Sequence, residues 1–254
     1  MAISRPITQE APLYPPHSFE PSNPDAVLWV TPRHLAGDDG VLAERVGDAL
    51  TDMGWRMWPT SRHTLLYVSP NELVGAEWIR ASYPFELGGL PVAWQLSARA
   101  HREGMTEWNA YFTAGIPHET LVDLLVAVDA REELVDGLTE PGLVLATLRA
   151  RGWALDVDRP WTTAHAPGLS GSVSLEMMPP LIEDADPREL MGWQAWAEPV
   201  LGAPYLWCAT FSPSVPDDLV ANFAASLASP VPVPRRLRTL PQSAEGRLVV
   251  VRRS

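Results

Sequence analysis

The stretch EWNAYFTAGIPHETLVDLLVAV, from Glu107 to Val128, predicts a β-strand, a tight turn with a proline and then an amphipathic helix. The chain repeats this pattern 99 residues later, in LWCATFSPSVPDDLVANFAASL from Leu206 to Leu227. A register held over so long a span indicates an internal duplication. The same shift also holds upstream, and it aligns Trp94 with Trp193, Gln95 with Gln194, Ala98 with Ala197, Trp108 with Trp207, Ala110 with Ala209, Phe112 with Phe211 and Pro117 with Pro216.

The duplication predicts an α+β chain built from two tandem pseudo-repeats. Each repeat is expected to be an antiparallel sheet of about four to five strands packed with helices. The two sheets are expected to pair pseudo-symmetrically through exposed edges. The predicted parts are a proline-rich flexible leader at 1–26, a first repeat at 27–130, a second repeat at 140–229 and an arginine-rich tail at 230–254.

Composition and charge restrict the class of protein. The net charge of −12 argues against a protein that coats itself in nucleic acid. The single cysteine, Cys208, excludes an internal disulfide and suits a reducing compartment. No run approaches the roughly 18 apolar residues of a membrane span, and the first residues lack the apolar centre of a secretory signal. These features predict a cytoplasmic protein without a membrane partner.

The repeated tryptophans and the unrepeated aromatic residues predict different roles. Trp94 and Trp108 lie on the apolar face of their strands and recur in the second repeat, so we expect them in the core. By alternation, Arg56 and Trp58 share a strand face, and so do Trp78 and Arg80.

Arginines interleaved with aromatic rings suit single-stranded nucleic acid, because bases stack on rings while guanidinium groups bind phosphates. The simpler interpretation is a solvated face or an intramolecular cation–π pair. The predicted contacts in the first repeat are Arg56, Trp58, Arg62, Trp78, Arg80, Arg99, Arg102 and Tyr111.

The tail adds positive charge, because residues 230–254 contain six arginines and one glutamate. Arg235, Arg236 and Arg238 are therefore further predicted contacts with nucleic acid, with a solubilising terminus as the alternative. The run LVVVR, from Leu248 to Arg252, is also compatible with a terminal strand that holds the tail against the fold.

No motif predicts catalysis. The run GLSG at 168–171 lacks the G-x-S-x-G spacing of a nucleophile elbow, and the six histidines show no paired spacing for a metal. The acidic run around Glu183, Asp184 and Asp186 predicts a solvated loop more readily than a cation site. We expect no catalytic residue, no cofactor and no metal.

Four segments of the chain carry a resemblance to one known family. They are VTPRHLAG at Val30–Gly37, GW at Gly54-Trp55, YVSP at Tyr67–Pro70 and WNAYFTAGIPHE at Trp108–Glu119. In these segments the chain resembles the actinobacterial, Streptomyces-type domain of unknown function 317, which often occurs as tandem units. The resemblance covers about residues 27–230 and is weaker in the second repeat, which lacks its own TPRHLAG. It implies two tandem copies and a high-GC actinobacterial source, and it implies no reaction or cofactor.

These observations predict a non-enzymatic protein that binds nucleic acid, with single- or double-stranded DNA as the expected partner. The Trp/Arg face of the first repeat and the basic tail would form the site. The alternative is a protein–protein interaction or scaffolding module without catalytic activity, which would use an exposed sheet edge or the tail. A small-molecule pocket between the repeats is a third possibility. The sequence leaves the oligomeric state open.

Overall fold

The structure, a computed structural model, describes residues 23–79, 85–135, 140–177 and 191–251. The helices of these ranges are α1 at Leu42–Asp52, α2 at His118–Asp129, α3 at Pro141–Ala150 and α4 at Asp217–Leu227. The strands are β1 at Val27–Thr31, β2 at Arg56–Pro59, β3 at Leu65–Val68, β4 at Val74–Trp78, β5 at Glu86–Leu87, β6 at Leu90–Arg99, β7 at Thr106–Thr113, β8 at Ala154–Leu155, β9 at Thr163–His165, β10 at Gly171–Glu176, β11 at Gly192–Ala197, β12 at Trp207–Phe211, β13 at Val233–Arg236 and β14 at Val249–Val251.

One large antiparallel sheet dominates the described residues. Its strand order is β2-β3-β4-β6-β7-β12-β11-β10-β9-β8, and the short β5 pairs with β6. The first half of this order comes from the first predicted repeat and the second half from the second. The halves meet where Phe112 of β7 pairs with Ala209 of β12. The predicted α+β class is confirmed, whereas a pseudo-symmetric relation between the halves stays a prediction.

The helices cover one face of the large sheet, and the tryptophans of that face form the centre of the core. Trp94, Trp108, Trp193 and Trp207 are all 2 % exposed or less, so their predicted place in the core is confirmed. Two of the buried indoles donate to backbone carbonyls, Trp108 to Leu134 at 2.8 Å and Trp207 to His34 at 2.9 Å. Such partners remove much of the cost of burying an indole N–H.

The helices that follow the repeated strands begin directly after a proline. Pro117 is the N-cap residue of α2 and Pro216 is the N-cap residue of α4. Acidic residues in the first turn of each helix interact favourably with the positive end of the helix dipole. In α2 the buried residues recur at helical spacing, as the sequence predicted, and include Leu121, Leu124, Leu125 and Val128. Within the described residues, no helix combines the length and the apolar composition that a membrane span requires.

The described part of the tail is held against the fold. β13 and β14 pair with the two sides of β1 and make a small three-stranded sheet. In this sheet Arg235 is fully buried, and its guanidinium donates to the Glu119 carboxylate at 2.7 and 2.6 Å. Arg235 was predicted to contact nucleic acid, and this is corrected here: its charge is used inside the protein. The terminal strand that the run LVVVR allowed is present as β14.

Candidate nucleic-acid interface

The strand register assigns side chains to the face of the large sheet that lies opposite the helices, termed the open face below. A row of side chains runs across this face from one edge strand towards the other, perpendicular to the strands. Because cross-strand partners point to the same side of a sheet, the register defines this row without ambiguity. The row consists of Trp58, Leu66, Glu77, Gln95 and Tyr111 in the first half and Thr210, Gln194, Ser174 and Thr163 in the second.

Predicted site residues form a depression of about 320 Å³ near the β2 edge, termed the arginine groove. Its lining includes Arg56, Trp58, Glu72, Arg99 and Arg102. The Arg56 guanidinium lies 5.5 Å from the ring centroid of Trp58, so the cation–π pair that the sequence allowed is present. Trp58 nevertheless keeps 39 % of its surface exposed.

Glu72 organises the arginine groove. Its carboxylate accepts a hydrogen bond from Arg56 at 2.5 Å and lies 3.7 Å from Nε of Arg102. The hydrogen bond from Arg56 and the charge of Arg102 lower the pKa of Glu72 below its usual value, so the carboxylate is charged at neutral pH. The guanidinium of Arg99 donates to the backbone carbonyl of Arg102 at 2.8 Å. Three arginines therefore surround one carboxylate, and the groove keeps a local excess of positive charge.

Trp78 does not belong to the open face. It pairs with Leu65 and Trp94, whose side chains point towards the helices, and it packs partly buried against the core. The residue of β4 that points to the open face is its neighbour Glu77. The predicted grouping of Trp78 with Arg56 and Trp58 is corrected accordingly. Arg80, its predicted companion, lies outside the described residues.

Two further pockets lie on the open face, one in each half of the sheet. The first, of about 190 Å³, has a lining that includes Arg62, Thr64, Glu77, Phe85, Gln95 and Tyr111. The second, of about 200 Å³, has a lining that includes Leu87, Gln194, Trp196, Tyr205, Cys208 and Thr210. They are termed the first and second glutamine pockets, because each contains one member of the repeated pair Gln95 and Gln194. Tyr111 thus lies on the open face, where its ring meets Phe85 edge-on at 5.0 Å.

The short strand β5 and the turn after it form the wall between these pockets. Leu87 of β5 packs against Val92 and Cys208 over the junction of the two halves of the sheet. Gly88, at the turn after β5, lies so close to Tyr205 that an added Cβ would come within 2.6 Å of its ring. The repeated glutamines were the available signal for these pockets.

The remaining predicted arginines have different surroundings. Arg238 is exposed and forms an ion pair with Asp25 at 3.1 Å. Arg236 is half-buried in β13, and its backbone N–H donates to Asp39 at 2.8 Å. The tail thus presents fewer available charges than its sequence suggests.

A serine–histidine–aspartate arrangement in the second half was missed by sequence reasoning. His165 Nδ1 lies 2.8 Å from Ser172 Oγ, and its Nε2 lies 2.8 Å from Asp156 Oδ2. The hydrogen bond from His165, with backbone N–H groups, lowers the pKa of Asp156. Ester or amide hydrolysis would also need N–H donors directed at the reacting carbonyl. Ser172 instead lies inside β10, whose backbone pairs with β9 and β11, so the arrangement links β10 and β9 to the residue that follows β8.

Metal ligands do not converge in the part of the chain that the structure describes. No group of three or more His, Cys, Asp or Glu side chains there could hold a metal ion. The acidic run at Glu183, Asp184 and Asp186 lies outside the described residues.

Comparison with known families adds one finding. The model of the family described as SPDY, domain of unknown function (DUF317), matches residues 68–135 and 181–233. The chain is therefore similar to the DUF317 family over these two segments. Each DUF317 match includes the two strands of one half that lie nearest the centre of the large sheet, and the helix that follows them. These elements are β6, β7 and α2 in the first match and β11, β12 and α4 in the second. Neither a curated protein nor a solved structure matches the chain.

Proposed function

We propose that this chain is a cytoplasmic, non-enzymatic protein that binds single-stranded nucleic acid, with DNA as the expected form, through the arginine groove. The observation that carries the proposal is the placement of Arg56, Arg99 and Arg102 around the partly exposed ring of Trp58. Aromatic rings beside cationic side chains are typical of surfaces that bind single strands without strict sequence preference.

Each part of the arginine groove would have a separate role. The exposed part of the Trp58 ring would stack on a base, an interaction worth about 1–3 kcal/mol per base. Arg56 and Arg102 would exchange part of their interaction with Glu72 for phosphate oxygens, which suit the donor geometry of guanidinium groups. Glu72 would then hold the arginines in position in the free protein and compete with the phosphates.

The overall charge of −12 affects how such binding depends on salt. Repulsion between the whole protein and the nucleic acid slows their encounter, so affinity must come from short-range contacts in the groove. If three arginines each neutralise one phosphate, the slope of log K against log salt concentration for a single strand is about −2. A protein that binds through a long basic surface would show a much steeper slope.

Fluorescence anisotropy with a labelled single-stranded DNA of mixed sequence, measured across a salt series, tests the proposal. Arg56→Ala/Arg102→Ala should weaken binding at low salt and reduce the magnitude of the slope by about 1.4, or about 0.7 for each lost phosphate contact. Glu72→Gln should strengthen binding, because the competing carboxylate is removed. Arg149→Ala, which removes an exposed arginine on α3, is the matched control and should leave binding unchanged. Absence of binding at low salt, or equal effects of the control, would refute the proposal.

A protein partner is the second candidate, and the edge strand β2 favours it. β2 is the outermost strand of the described sheet on that side, and all its residues, from Arg56 to Pro59, are exposed. Exposed edge strands can pair with an extended segment of another protein. Binding of this kind would persist at high salt and would be lost on Met57→Pro, which removes a backbone donor.

A further inference from the structure

The duplication preserves one polar side chain that core packing does not explain. The other repeated strand residues, such as Trp94 and Phe112 with their counterparts, point towards the helices and are buried. Gln95 and Gln194 point to the open face instead, and both are half-buried. Gln95 Nε2 donates to Asn109 Oδ1 at 3.3 Å, which uses one of the two N–H donors of its amide. An identical polar residue at equivalent places on this face is consistent with a shared role in binding.

Each of the two glutamines lies in a pocket beside a pair of aromatic rings. In the first glutamine pocket the pair is Phe85 and Tyr111, whose centroids are 5.0 Å apart. In the second pocket the pair is Trp196 and Tyr205, whose centroids are 6.4 Å apart. The volumes, about 190 and 200 Å³, are far above the roughly 10–15 Å³ that one water molecule needs. Each pocket therefore has room for a planar ring.

The chemistry of these pockets suits a nucleobase. A glutamine amide offers a donor and an acceptor side by side, which match the paired groups on the edge of an unpaired base. Aromatic walls offer apolar contact or stacking to the ring of that base. In the first pocket Glu77 adds a carboxylate whose Oε1 accepts a hydrogen bond from Thr64. A carboxylate favours a base edge that carries donors, such as that of guanine or cytosine.

The spacing of the glutamines allows both pockets to act on one strand. Gln95 lies on β6 and Gln194 on β11, so three strand-to-strand steps separate them through β7 and β12. At about 4.8 Å a step, this separation is about 14 Å. Stacked nucleotides that advance about 3.4 Å each would cover this distance in about four residues, and an unstacked strand would need fewer.

We propose that the two glutamine pockets each receive one unpaired base of the same single strand, with Gln95 and Gln194 hydrogen-bonded to the base edges. This inference rests on the proposed function, and it assigns base recognition to the pockets while the arginine groove binds the phosphate backbone. Duplex DNA cannot present such bases without being opened. The preferred ligand is therefore single-stranded, and contacts in the two pockets are separable from the salt-dependent contacts of the groove.

The test uses the full chain and a labelled twelve-nucleotide single strand of mixed sequence, its duplex, and a version with abasic sites at every second position. Single-strand affinity should fall about fivefold with Gln95→Ala or Gln194→Ala, and about 25-fold with both. The salt slope should stay unchanged, because no phosphate contact is removed. Gln242→Ala, an exposed glutamine in a 3-10 helix, is the matched control. Melting temperatures of all variants show whether the fold is retained.

A measurement on the unaltered protein accompanies the variants. 2-Aminopurine placed in the single strand should change its fluorescence on binding, and the abasic strand should bind at least tenfold more weakly than the intact one. If binding needs Arg56 and Arg102 but Gln95→Ala/Gln194→Ala binds the intact strand as tightly as the unaltered protein does, the pockets are not base sites and the proposed function stands. Abasic strands or duplex that bind as tightly as the intact single strand would contradict the pockets and also the stacking of Trp58 on a base. If no nucleic acid binds, both proposals are refuted.

Discussion

Replacement of Glu119 by alanine should leave the guanidinium of Arg235 buried without a neutralising partner. Arg235 is 0 % exposed, and both of its terminal nitrogens donate to the Glu119 carboxylate. Removal of one partner from a buried ion pair costs about 3–5 kcal/mol. The carbonyls of Ala36 and Gly37, at 3.2 and 3.0 Å from Nε, would still accept hydrogen bonds. The loss should therefore lie near the lower end of that range.

For a chain of this size, about 3 kcal/mol corresponds to a fall in melting temperature of about 6–12 °C. Scanning calorimetry or circular dichroism would measure it. The double variant Glu119→Leu/Arg235→Met should recover most of the loss, because apolar residues of similar volume replace a buried pair at little cost. Arg238→Ala is the matched control, since this arginine of the same tail pairs with Asp25 on the surface and should change stability by less than about 1 kcal/mol. A loss below about 1 kcal/mol for Glu119→Ala would refute the structural role of Arg235.

The same pair makes stability depend on pH. Burial alone would raise the pKa of Glu119, but the hydrogen bonds and charge of Arg235 hold it below the usual value. A carboxyl with a depressed folded-state pKa stabilises the fold above its unfolded pKa of about 4.3 and loses this contribution as pH falls through the folded value. Acid should therefore destabilise the unaltered protein more than the double variant.

Three further predictions concern single residues. Burial lowers the pKa of His34 to about 4, so stability should fall as pH drops from about 6.5 to about 4, and this slope should be smaller in His34→Gln. Gly192→Ala should lower the melting temperature of the protein far more than Gly89→Ala. Both glycines have positive φ, so both substitutions strain the backbone. An added Cβ would lie 2.1 Å from the Phe211 carbonyl oxygen at position 192, whereas it would meet nothing within 4 Å at position 89. Burial raises the pKa of the Cys208 thiol to about 12, so a disulfide reagent at pH 8 should label it slowly in folded protein and rapidly in denaturant.

Local periodicity predicted most elements of the fold. The strand and helix expected within Glu107–Val128 are β7 and α2, and those of the repeated stretch within Leu206–Leu227 are β12 and α4. These elements have strong amphipathic patterns and clear breaks, which a sequence displays directly. The β5 hairpin was not predicted, because its two-residue strand is too short to show a period of its own.

The candidate site was harder to predict, because it depends on register and on distant partners. Alternation alone places Arg56 with Trp58 on one strand, but only the pairing through β3 decides which residue of β4 joins them. That residue is Glu77 rather than Trp78. Arg235 shows no local sign of burial, since arginines are rarely buried without a partner, and its partner Glu119 is 116 residues away. Long-range pairs of this kind leave no periodic trace in the sequence.

The segment that occurs only once explains how the two halves of the chain are joined. Arg33 lies in a short 3-10 helix after β1, and its guanidinium donates to Ser226 of α4 at 2.7 Å and to Asp123 of α2 at 3.3 Å. The backbone carbonyl of the next residue, His34, accepts a hydrogen bond from the indole N–H of Trp207. One TPRHLAG segment thus contacts the closing helices of both halves and a core tryptophan of the second. A second copy in the repeat would have to compete for the same helices, which gives a physical reason for finding the motif once in a duplicated chain.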